Sequence, residues 1–320
     1  MKRSTVGLLL GIMLLAASPA AAQTYPTRPI TLTHGFGAGG NADTIARLLA
    51  GPLTESLGQP VIVEPRIGAS GIIAADRTAK ARPDGHTLVI LPGGHAVAAA
   101  LYKSLPFDPL NDFQMISLLT SFPMVISVRK DHRFRDIADL IAQAKAKPGA
   151  VTFSSVGIGS TQHLTGELLA AMTGVQLTHI PYKGGSAPLT DLLGGQIEVM
   201  IDTLTVTTPQ LEAGVIRALA ITSRDEWPLL PGIPPVAATV PDFDVRSWLS
   251  LATTRGVPRP IIDRLNQEVR KALASAPVKA RLEGMGNQVT PDSPDEMQAF
   301  MVSEAARWTK VIRDAKVEQQ

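Results

Sequence analysis

Two glycine-rich segments carry the clearest chemistry in this chain: Gly35-Phe36-Gly37-Ala38-Gly39-Gly40 and Gly157-Ile158-Gly159-Ser160. Each follows a short apolar stretch and opens a helical pattern, with Ile45, Leu48, Leu49 and Leu53 after the first and Leu164, Leu168 and Met172 after the second. The first N–H groups of a helix lack intrahelical partners, and its dipole leaves partial positive charge there. A glycine turn at that point lets a carboxylate or phosphate approach the amides. One such turn in each half predicts two anion-facing helix starts that clamp a single ligand. Ser160 and Thr161 add hydroxyls to the second start, and His163 adds a ring that can either donate to an oxyanion or be a satisfied polar residue of the first turn. Ser154, Ser155 and Ser160 near His163 also allow an exported serine hydrolase built on Ser160 and His163, although a serine at a helix start is an ordinary cap. The chain has no G-x-S-x-G elbow and no H-E-x-x-H, and its six histidines show no paired metal-ligand spacing. No metal and no cofactor is therefore expected.

Gly35, Gly37 and Gly40 fit G-x-G-x-x-G as well, with Glu64 ending a second strand where a ribose contact would fall. Against a dinucleotide, Asp43 puts negative charge into the first helical turn, where it opposes a pyrophosphate. The plainest alternative is that these glycines make only a tight turn and close helix–sheet contact. Further along, Pro181-Tyr182-Lys183-Gly184-Gly185-Ser186 follows an apolar strand and offers a hydroxyl, an ammonium and flexible amides at its carboxyl end, where open α/β sheets bind ligands. Asp202 ends the strand Ile197–Ile201 and is either a ligand contact or a structural cap; Gly93-Gly94-His95 ends the strand Thr87–Leu91 and is a candidate wall.

The elements that must position these groups alternate as in a parallel α/β sheet. Strands are expected at Ile30–Thr33, Val61–Val63, Thr87–Leu91, Met124–Val128, Val151–Ser154, Leu177–Ile180, Ile197–Ile201, Ile216–Thr222 and Trp248–Ala252. Helices are expected at Ile45–Leu57, Ile137–Lys145, Thr161–Met172 and Pro188–Leu193, with Arg259–Ala274 and Asp295–Lys316 closing the chain. Pro228 to Pro241 holds five prolines in fourteen residues and reads as a linker or crossing loop. Chain crossings near Phe122-Pro123 and Val245 then give residues 1–22 as a signal peptide, 23–122 plus 246–320 as lobe one, and 123–245 as lobe two.

The signal peptide is read from Lys2 and Arg3, the apolar run Val6 to Ala17, and Ala20-Ala21-Ala22 as a cleavage site. The run is short for a membrane span, so a soluble periplasmic protein starting near Gln23, with no membrane anchor, is expected. There is no cysteine, which removes disulfides, thiolate metal sites and a lipid-modified N-terminal cysteine. Hydrophobic residues make up 45% and charged ones 18%, as in ordinary globular lobes, and about 298 mature residues exceed the usual single core. Without Lys2 and Arg3 the 30 basic residues fall to 28, against 28 acidic ones, and no long basic run remains. That neutrality and an aromatic content of 4% argue against nucleic acid and anionic membrane as partners.

The chain resembles the periplasmic receptors of the tripartite tricarboxylate transporters, the Bug-type solute-binding proteins. The resemblance covers essentially the whole mature chain: Tyr25-Pro26-Thr27-Arg28-Pro29-Ile30, Ala38-Gly39-Gly40 with Asp43 and Arg47, Arg82-Pro83-Asp84-Gly85 and Leu105-Pro106-Phe107-Asp108-Pro109. Its strongest stretch is Gly157 to Asp202, with Gly159-Ser160, His163, Gly166-Glu167-Leu168, Pro181-Tyr182-Lys183-Gly184 and Asp191-Leu192-Leu193-Gly194-Gly195. It implies a two-lobed type II periplasmic-binding fold, each lobe a mainly parallel sheet flanked by helices, with the ligand cleft between the lobes. It also implies a monomeric, non-enzymatic receptor that passes a small organic carboxylate to membrane permease subunits. Ala38, Gly39 and Gly40 are then expected to give lobe-one amides. Ser155, Gly159, Ser160, Thr161 and His163 are expected to give lobe-two donors, with Tyr182 and Lys183 closing the cleft and Asp43 orienting water, a ligand amine or the turn itself. The chain departs from the family at His34-Gly35-Phe36-Gly37 and at Glu64-Pro65-Arg66-Ile67, where Val-Pro-Phe-Pro and Glu-Asn-Arg-Pro are usual. Phe36 is placed to meet an apolar ligand body.

Overall fold

A computed structural model describes residues 25–184, 186–314, 317 and 319; the expected signal peptide lies outside them. From the N-terminus come β1 (Ile30–His34), α1 (Asn41–Leu57), β2 (Val61–Pro65), α2 (Ile72–Ala79), β3 (Thr87–Pro92) and α3 (Gly93–Leu101). The long strand β4 (Phe113–Arg129) leads to α4 (Ile137–Ala146), β5 (Thr152–Ser155), α5 (Thr161–Thr173), β6 (Thr178–Pro181), α6 (Ala187–Leu193), β7 (Val199–Thr203), α7 (Leu204–Glu212) and β8 (Ile216–Ile221). The chain finishes with β9 (Arg246–Thr254), α8 (Arg259–Ala274), α9 (Ala276–Gly284), β10 (Gln288–Val289) and α10 (Pro294–Asp314).

The strand order is β2-β1-β3-β9-β4-β7-β5-β6, with β8 and β10 also pairing with β4. Parallel pairing is confined to β2-β1-β3 and to β6-β5-β7. The strands that cross the molecule pair antiparallel, so each sheet is mixed. This follows from the crossings themselves. β4 pairs with β9 from Phe113 to Pro123, then from Met124 onward with β7 and β8, so one strand serves two sheets. At the switch Met124 N donates to Thr222 Oγ1 (2.7 Å), Thr222 Oγ1 donates to Val245 O (2.7 Å) and Val245 N donates to Thr222 O (2.8 Å). The chain's two passages between sheets are therefore tied together at one point. Only Met124–Val128 was expected as strand; the preceding stretch Phe113–Phe122 is a buried run with Ser117, Thr120 and Ser121 set into it, which hides its strand character.

Helix α1 forms because Ile45, Ala46, Leu49, Leu53 and Leu57 recur on one face and are buried there. It ends at Gly58, whose left-handed backbone (φ 74°) lets its N–H reach Thr54 O. Helix α5 starts on Ser160, whose hydroxyl accepts from His163 N, and stops the same way at Gly174. The C-terminal helices return to the first sheet. α8 lies against α1 and α10 against α3, where the buried Glu304 Oε2 accepts from both Trp248 Nε1 (3.2 Å) and Trp308 Nε1 (3.3 Å).

Candidate functional site

Three helix starts from the two sheets converge on one cleft. Gly40, Asn41 and Ala42 open α1, Ser160, Thr161 and Gln162 open α5, and Asp202, Thr203 and Val206 belong to the start of α7. The rest of the wall is mainly apolar: Phe36, Phe122, Met124, Val156 and Leu249, with Pro92, Gly184 and Ser247. Free first-turn amides and aligned dipoles favour an anion at such a convergence. Of the residues lining the cleft, Asp202 alone is ionisable.

Asp202 is 4% exposed, and its Oδ1 accepts from Thr203 N at 2.7 Å. Burial pushes its carboxyl up to about 6, against the opposing pull of the Thr203 amide and the Gln162 side chain. The group stands at the end of an apolar strand, so the fold buries it before any ligand arrives.

The two sides of the cleft already touch. Gly37 N donates to Lys183 O (3.2 Å), Ser70 Oγ and Tyr102 OH both donate to Ile158 O (2.6 and 3.0 Å), and Thr161 Oγ1 lies 2.9 Å from Ser247 Oγ. Thr205 Oγ1 donates to Asn41 Oδ1 (2.8 Å), and Asn41 Nδ2 donates to Asn287 Oδ1 (3.0 Å). Gly94, in the first turn of α3, sits so close to the second glycine turn that a Cβ there would stand 2.6 Å from Gly159 O. These bonds join the helix starts into one closed seam.

Among the residues expected at the site, Phe36, Gly40, Ser160, Thr161 and Asp202 line the cleft. Ala38 and Gly39 are exposed on the outside of the first turn, and the Gly39 amide donates to Asp43 Oδ2 (3.1 Å). Asp43 orients that turn. Its Oδ1 is 3.0 Å from Arg47 Nε and 3.2 Å from His34 Nε2, and although burial opposes ionisation, the Arg47 and Gly39 hydrogen bonds hold its carboxyl below the usual range. Ser155 and His163 lie behind the second turn. Ser155 Oγ is 2.6 Å from His179 Nε2 and accepts from Gly157 N (3.0 Å), while His163 Nδ1 accepts from Gly159 N (3.2 Å). The His163 and His179 rings stand 4.3 Å apart. Burial, and then the neighbouring His179, brings His163 down to about 3, and burial brings His179 down to about 4, so both are neutral. Ser160 Oγ donates to Gly157 O (2.7 Å) and accepts from His163 N, which is capping geometry rather than an activated nucleophile. Tyr182 and Lys183 line a neighbouring pocket with Ser70, Tyr102 and Ile158, and Tyr182 OH donates to Asp191 Oδ2 (2.6 Å).

Sequence reasoning missed Asn41, Gln162, Thr203 and Val206, and the wall residues Phe122, Met124, Ser247 and Leu249. Asn41 and Gln162 stand directly beside expected residues, so the helix-start logic extended by one position would have found them. The wall residues come from β4 and β9, which meet only through the crossing.

Two lobes joined by crossing strands, closed over a cleft of helix starts without a cationic side chain, define a solute-binding protein of the periplasmic type. Residues 45–317 match the tripartite tricarboxylate transporter family receptor. The chain belongs to that family. It is 36% identical over 301 residues to the protein BugT of Bordetella pertussis (strain Tohama I), covering 93% of this chain and 92% of the relative. Its fold superposes on Rpa4515 of R. palustris, solved with adipate, with a TM-score of 0.88, 38% identity and coverage of 92% of this chain and all of the other. MatC of Rhodopseudomonas palustris, solved with bound malate, gives 0.85 and 32%, covering 90% and 100%.

Proposed function

We propose that this chain is a monomeric, non-enzymatic receptor that captures a small organic carboxylate between its lobes and delivers it to the membrane permease subunits of a tripartite tricarboxylate-type transporter. The observation that carries the reading is the convergence of three helix starts from both sides on one cleft whose lining includes no lysine, arginine or histidine. A carboxylate there is held by the first-turn amides of Asn41, Ala42, Thr161 and Gln162, with Gly40 and Ser160 shaping the two helix starts and Phe36 against its body. Asp43, Ser155, Gly159 and His163 shape the two turns from behind, while Gly94, Tyr182 and Lys183 act at the closing seam. Adipate and malate in the related structures fit that assignment. One lobe comprises residues 23–122 with 246–320 and the other 123–245; Met124, Thr222 and Val245 form the hinge. The protein works in the periplasm after cleavage near Ala22, and needs no cofactor.

The hydrolase reading lacks support at Ser160, whose hydroxyl is engaged with Gly157 O and His163 N. The dinucleotide reading is opposed by the family to which the chain belongs. Calorimetric titration of the mature protein with adipate and malate, followed by NMR of the recovered solute, tests the proposal. Saturable binding with the solute unchanged is expected. Conversion of the solute, or binding of a nicotinamide dinucleotide and of neither acid, overturns it.

A further inference from the structure

A carboxylate ligand and Asp202 must share one cleft that supplies no cation. The lining offers amides, hydroxyls and apolar side chains, and the only ionisable member is Asp202 itself. Its carboxyl is 4% exposed, fixed by Thr203 N, and set between the starts of α5 and α7, so its charge competes with a bound anion for the same helix dipoles. Among the described residues no other charge on the surrounding elements relieves it: on β9, Arg246 lies over the Trp227 ring and beside Asp244. On α5, His163 and Glu167 face each other at 3.7 Å away from the cleft, and the ring of His163 rests on His179 of β6. On α1, Asp43 is paired with Arg47. At the far end of β4, Arg129 pairs with Asp131, and on β8 Arg217 is bonded to the carbonyls of His132, Phe134 and Arg135. Asp191, beyond β7 on α6, is taken by Tyr182, and Glu212 stands at the far end of α7.

We infer that this receptor takes up one proton with its ligand: the anionic carboxylate binds to the form in which Asp202 is protonated. The inference rests on the carboxylate-receptor reading above and adds a specificity rule to it. Two carboxylates facing each other in a desolvated site cannot both ionise, so one must hold a proton. The balance is simple. Solvent supplies H+, Asp202 COO⁻ becomes COOH, and its O–H can donate to the ligand carboxylate, which stays anionic; no other bond is made or broken. Because burial has already raised the carboxyl to about 6, the free protein carries the proton on about a tenth of molecules at pH 7, and ligand binding draws in most of the remainder. Asp202 therefore discriminates against a bound anion wherever it cannot acquire that proton.

The test is titration calorimetry with adipate and malate at pH 7 in two buffers of different ionisation enthalpy, repeated from pH 6.5 to 8, on the wild type and on Asp202→Asn. Wild type should take up close to one proton per ligand at pH 7, and its affinity should fall about twentyfold between pH 6.5 and 8. Asp202→Asn is isosteric and keeps an acceptor for the Thr203 amide, and a thermal melt checks its folding. It should bind without proton uptake, with little pH dependence, and more tightly than wild type at pH 8. Binding of either acid with no proton uptake by wild type overturns this inference and leaves the receptor reading standing. Weaker binding by folded Asp202→Asn at pH 8 also overturns it, because an ionised Asp202 would then be accepting a donor from the ligand. Proton uptake that persists in Asp202→Asn assigns the proton elsewhere and overturns it too. Failure of both acids to bind wild type removes the receptor reading and this inference together.

Discussion

Gly94→Ala should separate closure from folding. The glycine lies in the first turn of α3 without a left-handed backbone, so alanine is locally acceptable and even favours the helix by up to ~1 kcal/mol. Across the seam, however, its Cβ would stand 2.6 Å from Gly159 O and 3.3 Å from Ser160 Cα, both backbone atoms. Ordinary carbon contacts need about 3.5 Å, so the two glycine-rich edges must part by roughly 1 Å. Three hydrogen bonds sit on that edge: Ser70 and Tyr102 to Ile158 O, and Thr161 to Ser247. At about 0.5–1.5 kcal/mol each, losing two costs the closed state about 1–3 kcal/mol, or roughly five- to 150-fold in affinity. Calorimetric titration with adipate and malate reads the affinity and a urea melt reads the stability. Affinity should drop while the unfolding midpoint holds or rises. Gly51→Ala, in α1 with nothing within 4 Å of the new Cβ, should raise stability and leave affinity alone. Wild-type affinity in Gly94→Ala would refute the view that closure at this seam is part of binding.

Three further outcomes are expected. Ser160→Ala removes the α5 cap and should cost about 1 kcal/mol in a denaturant melt, with an unchanged midpoint contradicting the capping geometry. Glu304→Ala leaves the buried Trp248 and Trp308 N–H groups without their acceptor and should cost about 2–4 kcal/mol, followed by tryptophan fluorescence on denaturation; a loss below 1 kcal/mol would sink that account of how α10 docks. Stability should also fall on acidification from pH 7 to 5. Burial holds His163 near 3 and His95 and His179 near 4, so below pH 6.5 the unfolded chain binds protons that the native state refuses. Asp202, raised to about 6, works the other way between pH 6 and about 4, and burial raises Glu167 and Asp292 too, but the histidines held down by burial, His34 and His132 among them, outnumber these carboxyls. A native state more stable at pH 5 than at pH 7 would show that these rings are not held neutral.

The glycine turns and the helices they open were legible because periodic apolar residues and caps are local signals, as at Leu49 and Leu53 in α1 and Ser160 in α5. Helix α7 was not. Thr205, Thr207 and Thr208 are β-branched and Pro209 follows them, so propensity hides a helix whose buried Leu204 and Thr207 hold it in place. Its start therefore went unread as a third anion-facing site, although Asp202 beside it was singled out. The apolar wall was hidden for a different reason. Phe122 meets Ser247, and Met124 and Leu249 join the same wall, only because β4 and β9 run side by side from Phe113 to Pro123, and that pairing spans more than a hundred positions of sequence. His163 stood open between a donor to the ligand and a satisfied polar residue of the first turn, and its ring turns back to accept the Gly159 amide and meet His179. One sequence position does not fix a side chain's direction when a neighbouring strand supplies a better partner.

Small-angle scattering on the mature protein, freed of ligand by unfolding and refolding, tests the central claim most directly. The contacts that seal the cleft come from both lobes, so saturation with a bound carboxylate should shift the population to the closed form and shrink the radius of gyration. An unchanged radius at calorimetrically proven saturation would contradict capture by lobe closure.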